Sequence, residues 1–162
     1  MVGSDTETLD PVAHHERYAA AWNGHDVAAV MECFAPNVRY DDPATDGVLG
    51  YADLEPFVRE TFRGFPDVHF ETRARYETDR EGTLVVEWTM HATHTGTFEG
   101  LPPTDEHVEL DGMERFVVGS EGVTEVRGYF DNREFLAELG LTFPEVVGKV
   151  PKLAVGAVRN AI

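Results

Sequence analysis

The sequence predicts an α+β domain in which helices come first and long antiparallel strands follow. Two observations carry this reading. Apolar residues recur at helical spacing as far as Phe62, and from Asp67 onward the period changes to two. Short glycine-bearing turns then separate the extended runs, as hairpins require.

The elements follow in order. Asp10-Pro11 is a cap-then-proline helix start, and the helix runs through His14 to Trp22 before Asn23-Gly24 stops it. Asp26 caps a second short helix that ends before Pro36. Val38 to Asp42 is a short extended piece closed by Pro43. A third helix, Tyr51 to about Phe62, carries Leu54, Phe57, Val58 and Phe62 on one face, and Gly64-Phe-Pro66 ends it. Four strands follow, over 68–77, 83–95, 107–118 and 123–131, joined by the turns Asp79–Gly82 and Gly119–Gly122 and by a longer loop at 96–105. Such an order reads as an antiparallel meander. Asn132 to Leu139 is a last short helix. The tail from Leu141 is apolar, contains Pro144 and Pro151, and reads as two short helices that need a surface to bury against.

Three parts are therefore expected: a flexible acidic N-terminus over 1–10, one domain over 11–140, and an apolar helical extension over 141–162. At 162 residues, with 42% hydrophobic and 10% aromatic side chains, the chain can bury a real core. No apolar run reaches the roughly 20 residues of a membrane span. The N-terminus has neither a basic start nor an apolar stretch, so it does not read as a secretory signal and a cytoplasmic location is expected.

The formal charge of −17 comes from 30 acids against 13 bases, and the only lysines are Lys149 and Lys152. A surface this negative repels nucleic-acid phosphates and anionic lipid. The acids are dispersed, not gathered in one tail, which is the pattern expected of a protein living in high salt, where self-repulsion is screened. The single Cys33 excludes an internal disulfide and reads as a small buried hydrophobe.

Several side chains carry candidate chemistry. Asp131 ends the last strand after two aromatics and precedes a helix. It is either the cap of that helix or a carboxylate at the mouth of an apolar cavity, where lost hydration would raise its pKa into a useful range. His91 and His94 lie three apart on one strand and point to opposite faces, so they cannot chelate one ion, and no metal is expected. His94 shares the inward face with Trp88 and Met90. Tyr18 and Trp22 are one helical turn apart, and Tyr40 and Tyr129 are on strand-like segments. These aromatics fill the core or, with Met90, line a ligand cavity where their polar tips find partners. Asp41-Asp42 before Pro43 reads as a turn entry. Arg127, Glu87 and Glu114 read as a cross-strand ion network. There is no glycine-rich phosphate loop, nucleophile elbow or zinc pattern.

The order of elements resembles the NTF2-like superfamily, a cone whose curved sheet encloses a pocket. Within it, the chain looks most like the SnoaL-like polyketide cyclases. The stretches that carry the likeness are Tyr18 with Trp22-Asn-Gly-His-Asp26, Tyr40-Asp-Asp-Pro43, Trp88 to Phe98, Leu101-Pro-Pro-Thr104, and Gly122 to Asp131 followed by Leu139-Gly140. The resemblance implies a small hydrophobic or carbonyl-containing ligand, no cofactor, and an aldol ring closure with an aspartate at the end of the last strand as acid/base. Asp131 matches that position, with His94, Tyr40 or Tyr129 as donors to an enolate. The family's cyclases also place a histidine on the preceding strand, whereas this chain reads Gly112-Met-Glu-Arg-Phe116 there. A homodimer formed through the open sheet face is also expected.

Overall fold

The computed structural model of the protein describes residues 8–160. Five helices pack on one five-stranded sheet, in the order α1 (Pro11–Asn23), α2 (Val27–Glu32), β1 (Phe34–Asp41), α3 (Tyr51–Gly64), β2 (His69–Glu77), β3 (Thr83–Thr93), β4 (His107–Val118), β5 (Val123–Tyr129), α4 (Asn132–Glu138) and α5 (Glu145–Asn160). Most of the expected flexible N-terminus lies outside the described residues. Of the rest, Thr8 bonds Glu81, the Leu9 amide donates to Gly119, and Asp10 caps α1 by accepting from Val12 and Ala13.

The strand order is β1-β5-β4-β3-β2. The four later strands form the expected antiparallel meander, but β1 pairs with β5 in parallel, so the sheet is mixed. Hairpin turns report only on neighbours in sequence, and β1 reaches its partner across the whole domain with no turn to announce it. β1 also begins at Phe34, earlier than the sequence suggests, and takes in Pro36. An edge strand tolerates this proline because its register is interrupted between Phe34 and Arg39.

Strand β4 shows the alternation that builds the concave face. Val108, Leu110, Gly112, Glu114, Phe116 and Val118 are buried, while Glu109, Asp111 and Met113 are exposed. Register shifts interrupt the β2–β3 and β4–β5 ladders, and such bulges bend a sheet and increase its twist. The bulge in β2 lies between Thr72 and Ala74. Beyond it, Arg75 stands opposite Val86 on the inner face and Tyr76 turns out to solvent, the reverse of unbroken alternation. Helices α1 and α3 close the concave side, with Tyr18, Trp22, Leu54, Phe57 and Val58 packed into the core.

Glycines place two site elements. Gly112 stands opposite Trp88 in the β3–β4 register, and a Cβ there would come within 2.3 Å of the indole. At Gly128 a Cβ would come within 2.6 Å of the Asp42 Cβ. In each case a missing side chain makes room for a larger one.

The tail is one helix, α5, where two were expected, with Pro151 inside it. Its anchors are ion pairs from Lys149 to Glu106 and from Lys152 to Asp105, on the loop between β3 and β4. Val147, Val150, Val155 and Val158 remain exposed on its outer side. Among the described residues, no helix is long and apolar enough to cross a membrane.

Candidate functional site

Between the concave sheet and helices α1 and α3 lies a cavity of about 100 Å³. Its wall is mainly aromatic. Trp22 meets Phe70 edge-on at 5.8 Å, Phe70 meets Trp88 at 5.6 Å, and Trp88 meets Phe130 at 6.2 Å, so the rings brace one another around the space. Such edge-to-face contacts hold aromatic walls in place. Neither lysine nor arginine lines the cavity, while two carboxylates do, Asp42 and Glu114.

Asp42 follows β1 directly and shares the inward direction of Tyr40, two residues earlier. The Tyr40 hydroxyl donates to Asp42 Oδ2 at 2.8 Å, and the Ala44 amide donates to Oδ1 at 2.7 Å. Burial pushes the Asp42 carboxyl pKa up, and the negative charge of Glu114 adds to the rise. The hydrogen bonds from Tyr40 and Ala44 oppose it without cancelling it. Asp41 points the other way and pairs with Arg127, so the adjacent acids diverge as strand neighbours must.

Glu114 reaches the same cavity from β4. His15 of α1 bonds it through Nε2 at 3.2 Å, and Arg75 Nε donates to His15 Nδ1 at 3.0 Å. Because the arginine N–H is an obligate donor, Nδ1 accepts, and the imidazole proton lies on Nε2, facing the Glu114 carboxylate. Arg75, His15 and Glu114 thus form one directed chain that ends at the cavity wall. The bulge in β2 brings Arg75 to the inner face and makes the chain possible. The Tyr18 and Tyr40 phenols are held well above their ordinary pKa, chiefly by burial, so both remain neutral donors.

Of the residues expected at a ligand site, Tyr18, Trp22, Tyr40, Trp88 and Met90 line this cavity together. Three others do not. Tyr129 is 54% exposed, on the outer side of β5 with Arg127 over its ring, because Gly128 and Phe130 take the inward positions. Asp131 is exposed and caps α4, its Oδ1 accepting from Arg133 and Glu134. Of its two readings from sequence, the structure shows the cap, and the expected carboxylate at the pocket mouth is not there. His94 is fully buried outside the lining: its ring stacks on Phe65 at 5.1 Å and its Nδ1 meets Thr104. Burial lowers its pKa and keeps it neutral. His91 points outward between Glu71 and Glu109.

The expected ion network also divides. Glu87 accepts from Tyr76 outside, Arg127 serves Asp41, and Glu114 turns inward to His15. Sequence reasoning missed Asp42, Glu114 and His15 as site residues. Two of them left a signal. Glu114 is the one charged residue among the inward positions of β4, and His15 precedes Tyr18 by nearly one helical turn on the same face. The strand segment where the resemblance looks for a histidine carries Glu114 instead, and the imidazole comes to it from α1. Among the described residues, no three His, Cys, Asp or Glu side chains come together as a metal centre would need.

A curved sheet closed by helices over an aromatic cavity with a few convergent polar groups defines an α+β cone with an enclosed pocket, the form that small-molecule sites take. The SnoaL-like polyketide cyclase family model matches residues 12–139, and the chain belongs to that family. Among solved structures, it is similar to AclR from Streptomyces galilaeus (24% identity, 82% of this chain and 96% of that one, TM-score 0.70). It is also similar to IdmH from Streptomyces antibioticus (22% identity, 82% and 99% covered, TM-score 0.69). A third is TerC, crystallised with polyporic acid (17% identity, 80% and 97% covered, TM-score 0.64). At these identities the likeness establishes the NTF2-like fold. No curated protein matches the chain.

Proposed function

We propose that this protein is a cofactor-independent enzyme that moves a proton beside the carbonyl group of a small substrate, with Asp42 as the acid/base. The observation that carries the reading is Asp42 itself: a carboxylate on the wall of an aromatic cavity, with its proton affinity raised by burial and by Glu114. A base so tuned accepts a proton more readily near neutral pH than an ordinary carboxylate does. Tyr40 holds it in one orientation, and the Arg75–His15–Glu114 chain supplies a second polar wall. The reaction is of the aldol, isomerase or dehydratase type, since all three begin with loss of a C–H proton next to a carbonyl.

Exchange of those hydrogens in D2O tests this without knowledge of the natural substrate. A panel of single-ring and acyclic ketones and β-keto esters is incubated with the protein, and deuterium uptake is followed by NMR. Wild type should exchange at least one member faster than buffer. Asp42→Asn should slow that exchange by about 10²–10⁴-fold, the usual contribution of a general base. Asp131→Asn should match wild type, because asparagine caps a helix as well as aspartate does. Equal rates for wild type and Asp42→Asn would remove Asp42 from the mechanism.

The exposed valines of α5 favour a second reading, a non-catalytic domain that binds ligand or associates through its surface. Ligand binding without exchange of any substrate would support it. Either reading goes with a cytoplasmic homodimer from a high-salt cell. A monomer by light scattering in molar salt would contradict the dimer.

A further inference from the structure

Helix α5 turns its polar groups toward its own domain and its apolar groups toward water. Lys149 and Lys152 reach inward to Glu106 and Asp105, and Gly156 lies so near Pro102 that a Cβ would come within 2.5 Å of it. Val146 and Leu153 share that inner side and are half-buried. The opposite side carries Val147, Val150, Pro151, Ala154, Val155 and Val158, all exposed and none charged. Their spacing is that of one continuous helical stripe, about 17 Å from end to end. Its four valines are 56% to 62% exposed. Single exposed valines are ordinary, whereas an unbroken apolar stripe marks a surface that something covers. The family match ends at residue 139, so the stripe is no part of the cone.

We infer that a second copy of the chain covers it, the two α5 helices lying antiparallel about a two-fold axis. The inference gives a surface to the homodimer named above, rests on that dimer, and is independent of the reaction. A two-fold contact must be self-complementary, since whatever one residue meets, its symmetry mate meets in return. The stripe has this property. Val147 and Val158, Val150 and Val155, and Pro151 and Ala154 are each equally far from a centre between Lys152 and Leu153. Laid antiparallel, valine meets valine at both ends and proline meets alanine in the middle. Charge selects the same arrangement. Glu145 is in the first turn and Arg159 in the last, so antiparallel helices set acid level with base and oppose their dipoles. Parallel helices would set like against like.

Charge also weighs against the other surfaces. The outer face of the sheet carries Glu71, Glu87, Glu109 and Asp111, so joining two copies there brings acid onto acid. Residues 138–162 hold two acids and three bases, a net +1, which leaves −18 on the rest of the chain. A second copy therefore meets the least repulsion at this end. A lipid surface is matched less well: helices that lie on membranes flank the apolar face with cations, and both lysines here are turned to the opposite side. One pair of helices this short falls at the low end of specific interfaces, near or below roughly 1,200 Å², so the dimer is reversible. Salt should strengthen it, because the bodies repel and the contact itself is apolar.

Light scattering against protein concentration, at about 0.1 M and 1 M KCl, tests the proposal. Wild type should reach twice the chain mass, and at lower protein concentration in the higher salt. Val155→Glu, which sets a carboxylate against Val150 of the second copy, should weaken the dimer at least tenfold. Its melting midpoint in dilute solution should stay within about 2 °C of wild type's, since the side chain is exposed in the monomer. Met113→Glu, on the outer sheet face, should leave the dimer unchanged. Cross-linking reads the register. Val150→Cys mixed with Val155→Cys should form a disulfide-linked pair on mild oxidation. Neither alone should, because antiparallel pairing holds like positions about 7.5 Å apart along the axis. Cys33, 1% exposed, does not compete.

A dimer that survives Val155→Glu, or that Met113→Glu dissolves instead, overturns the surface assigned here and leaves the homodimer standing. Linkage of Val150→Cys alone overturns the antiparallel arrangement. A dimer that loosens as salt rises would be held by ion pairs and not by this stripe. Monomers in molar salt overturn both the stripe contact and the homodimer, and their capture by phosphatidylcholine vesicles would assign the stripe to lipid.

Discussion

Gly128 decides where Asp42 can sit. With a Cβ only 2.6 Å from that of Asp42, an alanine there must displace the carboxylate or the strand. Gly128→Ala should therefore lower α-hydrogen exchange at least tenfold. Overpacking should also cost about 1–3 kcal/mol in a urea melt. Asp42 itself carries a stability signature. Its folded-state pKa is raised above the unfolded value of about 3.9, so the folded chain holds the proton more tightly. Stability is then greatest below the unfolded pKa and falls as pH rises through the folded one. Asp42→Asn removes that loss. The variant should be more stable than wild type at neutral pH and no more stable near pH 3, as thermal melts across that range would show. Legibility at this scale was uneven. Four aromatic residues at helical or strand spacing, with Met90 beside them, pointed to five of the cavity's side chains. A carboxylate's environment depends on what other elements bring beside it, and for that reason Asp131 drew attention from sequence while Asp42 read as a turn.

The elements were legible wherever periodicity is local. Caps at Asp10 and Asp26 and the hairpins at 79–82 and 119–122 all mark boundaries that the structure keeps. Two departures came from features without a local signal. A bulge changes which side chains face inward without changing composition, so unbroken alternation cannot show that Arg75 meets His15 as the shifted register makes it do. Pro151 suggested a break in the tail, yet a proline needs only a missing donor and space at the preceding turn, and α5 continues through it. The chain's only two lysines both tie α5 to the loop whose Phe98 lines the cavity. Replacing both, as Lys149→Gln with Lys152→Gln, should make cleavage within 145–160 several-fold faster in limited proteolysis. The melting midpoint of the remaining domain should move by no more than about 2 °C, since both pairs reach the surface through their acids and such pairs add little to global stability. A large drop in that midpoint would show the tail to be part of the core.

For the whole molecule, the shift from helical to strand period was enough to place the fold class, because one apolar stripe and one alternating sheet bury each other in few ways. The parallel β1–β5 pair escaped that reasoning, as did the cavity, which is a property of the closed cone and of no single segment. Net charge acts at this scale too. With −17 spread over the surface, raising salt from about 0.1 M to 1 M shortens the screening length from about 10 Å to about 3 Å and relieves self-repulsion. The melting temperature should therefore climb with salt. A flat or falling curve would mean that pairs such as Asp41–Arg127 and Glu125–Arg115, which salt weakens, outweigh the net charge.

Everything proposed for the reaction depends on the cone holding Asp42 in a setting that favours its protonated form. The side-chain carboxyl 13C resonance of Asp42, followed against pH, measures this directly. Its midpoint should lie above the ordinary aspartate value and should fall toward it in Glu114→Gln, where the neighbouring negative charge is gone. A midpoint at or below the ordinary value in the unmutated protein would contradict the assignment of Asp42 as the working acid/base.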